Sequence, residues 1–422
     1  MKTADSHAHL PVVIAGAGIV GVASAIWLQR AGIPVLIFDP RGPAQGASFG
    51  NAGVLAACSV VPLTVPGLIA KAPRMLLDRD EPLFLRWPYL PRLTPWLLRY
   101  LSHCRPEQVR RIAAAMAPLV VDTLSQHRAL SQGTPASVHV HAGDYVYGYR
   151  DRAHFDADAF GWQVRRDNGF NWEELDRQAL RSFDPVFGDD LGFAVRVPGH
   201  GRIDDPGRYV SRLAEHVISQ GGLIRHEAVD DVHIVNGMVR AVIAGGQRIP
   251  CRSFLITAGA WSGPLSTRLG LKVPLESERG YHLDLWEPDR MPRQATMIAA
   301  LKVVATPMDG RIRLAGAVEF GGIDAPRSDP PFAMLERAVS RVFPDLRWAR
   351  TERWMGHRPA PADSIPLIGT VPGLSNAWLG FGHHHVGMTA GPRTGRLLAT
   401  LIAGTQAPDI DMLPYAPSRF AN

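Results

Sequence analysis

VVIAGAGIVGVASAIWLQRAGIPVLIFD, residues 12–39, runs as strand, glycine turn, helix and second strand without interruption. Apolar Val12–Ala15 leads directly into Gly16, Gly18 and Gly21, the G-x-G-x-x-G spacing of a dinucleotide site. Gly16 permits the tight turn, Gly18 lets a pyrophosphate approach the backbone without meeting a Cβ, and Gly21 lets the following helix pack closely on the strand. The phosphates then meet free N–H groups at the positive end of the helix dipole. Gly32 stops the helix, and a second apolar strand, Pro34–Phe38, ends at Asp39. A carboxylate at that distance from the glycines accepts hydrogen bonds from a ribose 2′-OH and repels a 2′-phosphate.

The whole 422-residue chain is 46% hydrophobic, enough for a sizeable core, and its length suggests two or three domains. Its net charge of +6 is scattered, and no block of like charges or basic–aromatic stripe points to nucleic acid. Cys58, Cys104 and Cys251 are odd in number and widely spaced, which fits neither a disulfide framework nor a zinc site and suits a reducing, cytoplasmic compartment. The run Val12–Leu28 is broken by its glycines, and no other stretch is apolar for long enough to cross a bilayer.

Residues 1–10 read as a polar lead-in. Gly46–Gly53 is too rich in glycine and small side chains for a regular element and reads as a loop passing close to a ligand, with Ser48 and Asn51 as its polar handles. Residues 62–105 are rich in proline, leucine, tryptophan and arginine. Within them Pro91–Leu101 is an amphipathic helix with Leu93, Trp96, Leu97, Tyr100 and Leu101 on one side, so it either packs on the protein's own core or lies at a membrane surface.

Arg110–Leu130 reads as one helix, Val138–Tyr149 as a strand, Phe155–Phe183 as surface helices, and Asp205-Pro206 as the capped start of a helix running to Gln220. Short strands follow from Leu223, and Ser253–Ile256 again runs into a small-residue turn, Thr257-Ala258-Gly259. Val273–Trp286 and Met297–Phe320 alternate as antiparallel strands with a turn at Asp309-Gly310, and Pro330–Phe343 is helical. Near the end, strand Trp378–Phe381, loop Gly382–Thr389 and a helix to about Ala403 repeat the first junction. The adjacent histidines 383–385 lack the spaced partners of a metal site, so no metal is expected.

Taken together, GAGIVG with Asp39, ASFGNAG at 47–53, LITAGAWS at 255–262, ERGYH at 278–282, WMGHRPAPADSIPLIG at 354–369 and the GH and GMT of 382–389 resemble the D-amino-acid oxidase superfamily of flavoproteins. The resemblance spans nearly the whole chain and is nearest to the bacterial D-amino-acid dehydrogenase branch. It implies an α/β composite fold: a Rossmann-like FAD-binding domain (1–60, 200–272 and 354–422) with an inserted antiparallel-sheet substrate domain (61–199 and 273–353).

The same resemblance implies FAD held with its pyrophosphate at Gly16, Gly18, Ile19, Val20 and Gly21. The adenosine ribose would lie at Asp39, beside Pro40 and Arg41, with the adenine at Val229. Ser48, Asn51, Ala52, Gly53 and Val54 would meet the phosphate and flavin ring, and Ala258 and Gly259 the phosphoribityl side. Gly382, His383, His385, Val386, Gly387, Met388 and Thr389 would set helix N–H groups against the flavin edge that gains negative charge on reduction. Relatives with covalent flavin carry a cysteine in the late substrate-domain strands; none lies between residues 252 and 422, so the FAD is expected to be non-covalent.

An arginine that clamps the substrate carboxylate in some relatives is absent from VVATPM at 303–308, which leaves Arg358 as the family-matched anchor. Tyr281 is a helper or a core residue. The implied reaction is hydride transfer from the Cα of a D-amino acid, or of a secondary amine such as a proline derivative, to flavin N5, with electrons passed to a quinone-type acceptor. Residues 62–105 are then the candidate contact with the inner face of the cytoplasmic membrane. Two alternatives stay open: an oxidase that reduces O2 to hydrogen peroxide, and a flavin-carrying subunit of a larger complex.

Overall fold

A computed structural model describes residues 9–421, so most of the expected lead-in lies outside the described residues. Two sheets organise the chain. The first has six strands in the order Leu367–Thr370, Ala377–Phe381, Ser253–Ile256, Val12–Ala15, Val35–Phe38 and Leu223–Arg225. All pair in parallel except the edge strand Leu367–Thr370. Val12–Ala15 sits in its middle and is buried on both faces, which is why its sequence is apolar throughout rather than alternating.

Successive residues of that strand serve two cores. Val12 and Ile14 pack with the helices Ile19–Arg30, Pro206–Ser219 and Gly387–Ala403, whereas Val13 and Ala15 pack under a three-stranded antiparallel sheet formed by Asp231–Val235, Met238–Ala244 and Gln247–Pro250. The helices Ile19–Arg30 and Gly387–Ala403 approach closely because Gly395 is a glycine: a Cβ there would lie 2.6 Å from that of Ala23.

The second sheet has ten strands and is mostly antiparallel, its main path running Arg350–Pro361, Leu275–Trp286, Arg311–Phe320, Val303–Met308, Ala295–Ile298, Val140–Tyr149, Phe193–Ile203 and Val54–Leu55. Helix Pro330–Val342 covers one face through Phe332, Leu335 and Val339. This is the expected pairing of a Rossmann-like domain with an inserted antiparallel-sheet domain. Residues 354–361, grouped with the nucleotide region on sequence, run along the edge strand of the large sheet, paired with Leu275–Tyr281 and His282 of its neighbour.

Two local expectations change. Arg110–Leu130 is broken into Pro106–Val120 and Thr123–Ser131, the second held by Thr123 Oγ1 donating to the Thr389 carbonyl 2.8 Å away. Within 155–183 the helices are interrupted by Glu173–Asp176, recruited as a strand by Phe193–Arg196. Helix Leu90–Ser102 forms as expected and turns Leu93, Trp96 and Tyr100 inward onto Phe320, Ala360 and Ala362.

Candidate active site

The strand ends of the first sheet and a face of the second enclose a cavity of about 1330 Å³. That exceeds the roughly 300–1,000 Å³ of an ordinary small-ligand pocket and leaves room for an extended dinucleotide and a second molecule.

At the first strand end, Gly16 (φ +110°) passes so close to the neighbouring strand that a Cβ would lie 2.5 Å from the Thr257 carbonyl oxygen. Gly18 differs: the nearest protein atom to its would-be Cβ is Ser48 Oγ at 3.3 Å, so little within the protein demands glycine there and its open side faces the cavity. The N-cap residue, Gly18, has no side chain to offer; Ser48 Oγ accepts from Ile19 N at 3.0 Å, and further first-turn N–H groups have no intrahelical acceptor. A helix start with an open glycine fits a pyrophosphate.

Asp39 is aimed by the backbone, its Oδ2 accepting from Ala17 N and its Oδ1 from Arg41 N at 2.9 and 3.0 Å. Arg41 lies 4.1 Å above the Trp261 ring. Pro40, Val229, Ala258 and Gly259 complete this end of the cavity wall.

The loop 47–53 is pinned from below. Arg313 Nη1 donates to the carbonyls of Phe49 and Asn51, at 3.0 and 2.8 Å, while its other nitrogens hold buried Asp284. His282 Nδ1 meets the Gly50 carbonyl at 3.0 Å, and the Trp354 ring fills the space a Gly50 side chain would need. Asn51 Oδ1 accepts from Gly53 N at 2.8 Å, fixing the turn that presents Ala52 and Val54. The support that Arg313, Asp284 and Trp354 give the loop escapes sequence reasoning because all three stand on the large sheet, far away along the chain.

In the last loop, Val386, Gly387, Met388 and Thr389 line the cavity at an uncapped helix start. Burial pushes His383 down to about 4, so its ring is neutral near neutral pH, whereas the His385 ring opens onto the cavity. His383 turns into the helix to meet Thr394 Oγ1 at 2.9 Å. Their neighbour His384, not a candidate on sequence, is drawn the other way: its Nδ1 lies 3.3 Å from buried Glu278, and that carboxylate raises its pKa against burial. Gly21, Gly53 and Gly382 stand behind the wall, packed on the Gly16 carbonyl, the Ile203 carbonyl and Pro361 respectively.

Arg358 reaches the cavity across the large sheet. Its cross-strand partner is Glu278, its guanidinium lies over Gly280, where a Cβ would come within 2.4 Å of Cζ, and Nη1 donates to the Ala317 carbonyl at 3.1 Å. That carbonyl is turned toward Arg358 by a bulge opposite Gly280-Tyr281 and by the left-handed backbone of Ala317 (φ 57°). Burial lowers the Arg358 pKa and Glu278 opposes the drop.

Tyr281 is not brought to this guanidinium. It follows Gly280 on an alternating strand, packs its ring 5.0 Å from Phe332 and donates its hydroxyl to Glu319, which Arg279 pairs at 2.7 Å. Its hydroxyl is therefore committed to a buried acid rather than to a ligand at Arg358.

A parallel sheet, a glycine-turn helix start and a cavity floored by a second sheet define a dinucleotide-binding fold. Residues 11–401 match the model of a family described as FAD dependent oxidoreductase, and the chain belongs to that family. A "D-amino-acid oxidase" of Bradyrhizobium diazoefficiens is 36% identical over 416 residues, covering 97% of this chain and 98% of that one. A "D-amino acid dehydrogenase" of Xanthobacter autotrophicus is 31% identical over 422 residues, covering 97% and 99%. Among solved structures, the glycine oxidase of Geobacillus kaustophilus shares the fold with a TM-score of 0.74 at 20% identity, covering 98% of this chain and 99% of that one. The protein is an FAD-dependent oxidoreductase acting on amino acids or amines.

Proposed function

We propose that the protein oxidises D-amino acids, or a related secondary amine such as a D-proline derivative, and delivers the electrons to a quinone-type acceptor. The observation that carries the reading is Arg358: a guanidinium cleared by Gly280, oriented by the Ala317 carbonyl and open to the cavity. A planar fork of that kind suits a carboxylate. The preference for D-substrates rests on the names of the two relatives.

Non-covalent FAD, held by the Gly16–Gly21 turn, Asp39 and the loops 47–54 and 382–389, supplies a two-electron acceptor for the substrate Cα–H. Arg358 fixes the carboxylate and so restricts how Cα is presented. The oxidised product is an imine, which water converts to a 2-oxo acid and ammonia; a cyclic amine stops at the imine or opens.

The oxidase alternative is favoured by the name of the 36%-identical relative. Anaerobic titration of the flavin absorbance with paired D- and L-amino acids, glycine and proline derivatives, followed by admission of air, tests both. Bleaching by D-enantiomers with slow recolouring supports the dehydrogenase, and fast recolouring with peroxide makes it an oxidase. Flavin left oxidised by every amine overturns the proposal in favour of a subunit that needs partners.

Among the described residues no helix is long and apolar enough to cross a membrane. Peripheral contact through residues 62–105 is part of the proposal. Ile69, Leu77, Trp87 and Leu98 are exposed there, with Arg74, Arg92 and Arg99 also exposed among them.

A further inference from the structure

The buried arginines of the large sheet are balanced by acids: Arg279 by Glu319 at 2.7 Å, Arg311 and Arg313 by Asp284 at 3.0 and 2.7 Å. Arg165 is different. It stands on helix Ala159–Asp167 and lines the same cavity as Arg358, with its guanidinium 4.6 Å from the Trp162 ring centroid and 5.1 Å from that of Tyr147. Its Nε is buried without a hydrogen-bond partner, and no carboxylate among the described residues lies within 4.0 Å. The two acids of its own neighbourhood are exposed and otherwise engaged: Asp167 accepts from Gln163 Nε2 at 2.7 Å and Asp158 from the Tyr149 hydroxyl at 3.1 Å.

A half-buried cation packed on aromatic rings, with Asp158 nearby but not bonded to it, gains from an incoming anion that bonds it directly. The cofactor phosphates do not supply that anion, since their cradle is the helix start at Gly18 on the other sheet, whereas Arg165 packs on Tyr147 of strand Val140–Tyr149.

The sheet also sets the spacing. Tyr147, Met297, Val304 and Ala315 are neighbours across four adjacent strands and all line the cavity, and Ala317, whose carbonyl holds Arg358, is on the last of them. Three strand spacings, roughly 14 Å, separate the backbones of Tyr147 and Ala315. A molecule bonded to both guanidiniums must bridge much of that width, which favours a side chain longer than that of glutamate.

We propose that Arg165 is a second anion-binding position of the substrate site, and that the preferred substrate is an amino acid or amine whose side chain ends in a carboxylate several methylenes from the first. The inference rests on the reading of Arg358 as the anchor for the α-carboxylate.

The test is calorimetric titration of the holoenzyme with straight-chain dicarboxylates from succinate to suberate, each against its monomethyl ester, in wild type, Arg165→Met and Arg165→Lys. The diacid is expected to bind about tenfold or more tighter than its ester, most strongly among the longer members, as a charge-assisted hydrogen bond implies. Arg165→Met brings the ratio near one and Arg165→Lys keeps part of it; flavin absorbance shows that each variant is folded and loaded. A wild-type ratio near one, or one that survives in Arg165→Met, overturns the inference. Because these ligands are not oxidised, that result is separable from failure of the proposed reaction, which shows as absence of flavin bleaching by any amine.

Discussion

Gly280 and Arg358 form a unit in which the smaller residue sets the position of the larger. A methyl group on residue 280 would meet the far end of the Arg358 side chain, with Cζ at 2.4 Å and Nη2 at 2.5 Å, so the guanidinium must leave its place while the strand remains. Gly280→Ala is therefore expected to raise KM for carboxylate substrates by about tenfold or more, as Arg358→Ala does, with the flavin spectrum unchanged. Steady-state kinetics on the reconstituted variants checks this, and an unaltered KM in both would remove Arg358 from substrate binding. At the other end of the cavity, Asp39 is fixed by two backbone N–H groups before any ligand arrives. Asp39→Ala should then weaken FAD retention through dialysis, read as the ratio of flavin to protein absorbance; full occupancy would contradict the ribose role.

Helix Leu90–Ser102 shows why an amphipathic pattern leaves a choice that contacts settle. Its apolar stripe, Leu93, Trp96 and Tyr100, is consumed by the protein itself, and Trp96 Nε1 donates to the Ala360 carbonyl at 3.0 Å. Trp96→Ala is expected to cost about 3–5 kcal/mol in denaturant unfolding. What faces outward is a different set, Ile69, Leu77, Trp87 and Leu98. If this surface meets a membrane, the protein sediments with anionic vesicles at low salt, and Leu77→Glu with Trp87→Glu releases it without loss of stability. Wild type that stays in the supernatant would end the membrane proposal and leave the helix a purely internal support.

Across the domain boundary, Glu278 of the large sheet and His384 of the last loop form a buried ion pair, with the Glu278 pKa depressed below 4.5 chiefly by His384 and the His384 pKa raised above 6.5 by Glu278, each against desolvation. The signs give a window. The acid contributes stability above its unfolded-state pKa and loses it as pH falls through the depressed value; the histidine contributes below its unfolded-state pKa and loses it as pH rises through the raised one. The advantage of wild type over His384→Gln in thermal unfolding should therefore be largest between the ordinary values of 4.5 and 6.5 and shrink toward alkaline pH. An advantage independent of pH would mean that the two groups are not paired as ions.

The run from Val12 to Asp39 made the parallel sheet and the glycine turn legible by itself, because strand, turn and helix follow one another directly and Gly21 packs on the Gly16 carbonyl, although the close approach of Gly16 to Thr257 belongs to the tertiary structure. The positions of Ser48, Asn51 and the loop before the last helix were legible for the same reason. Only the tertiary structure decided that Tyr281 spends its hydroxyl on Glu319, that His384 rather than its neighbours pairs with Glu278, and that Arg165 faces the cavity without an acid bonded to it. Those outcomes depend on which strands pair and which side chains meet across them, and neither burial nor the lack of a partner is written in a residue's own neighbours along the chain.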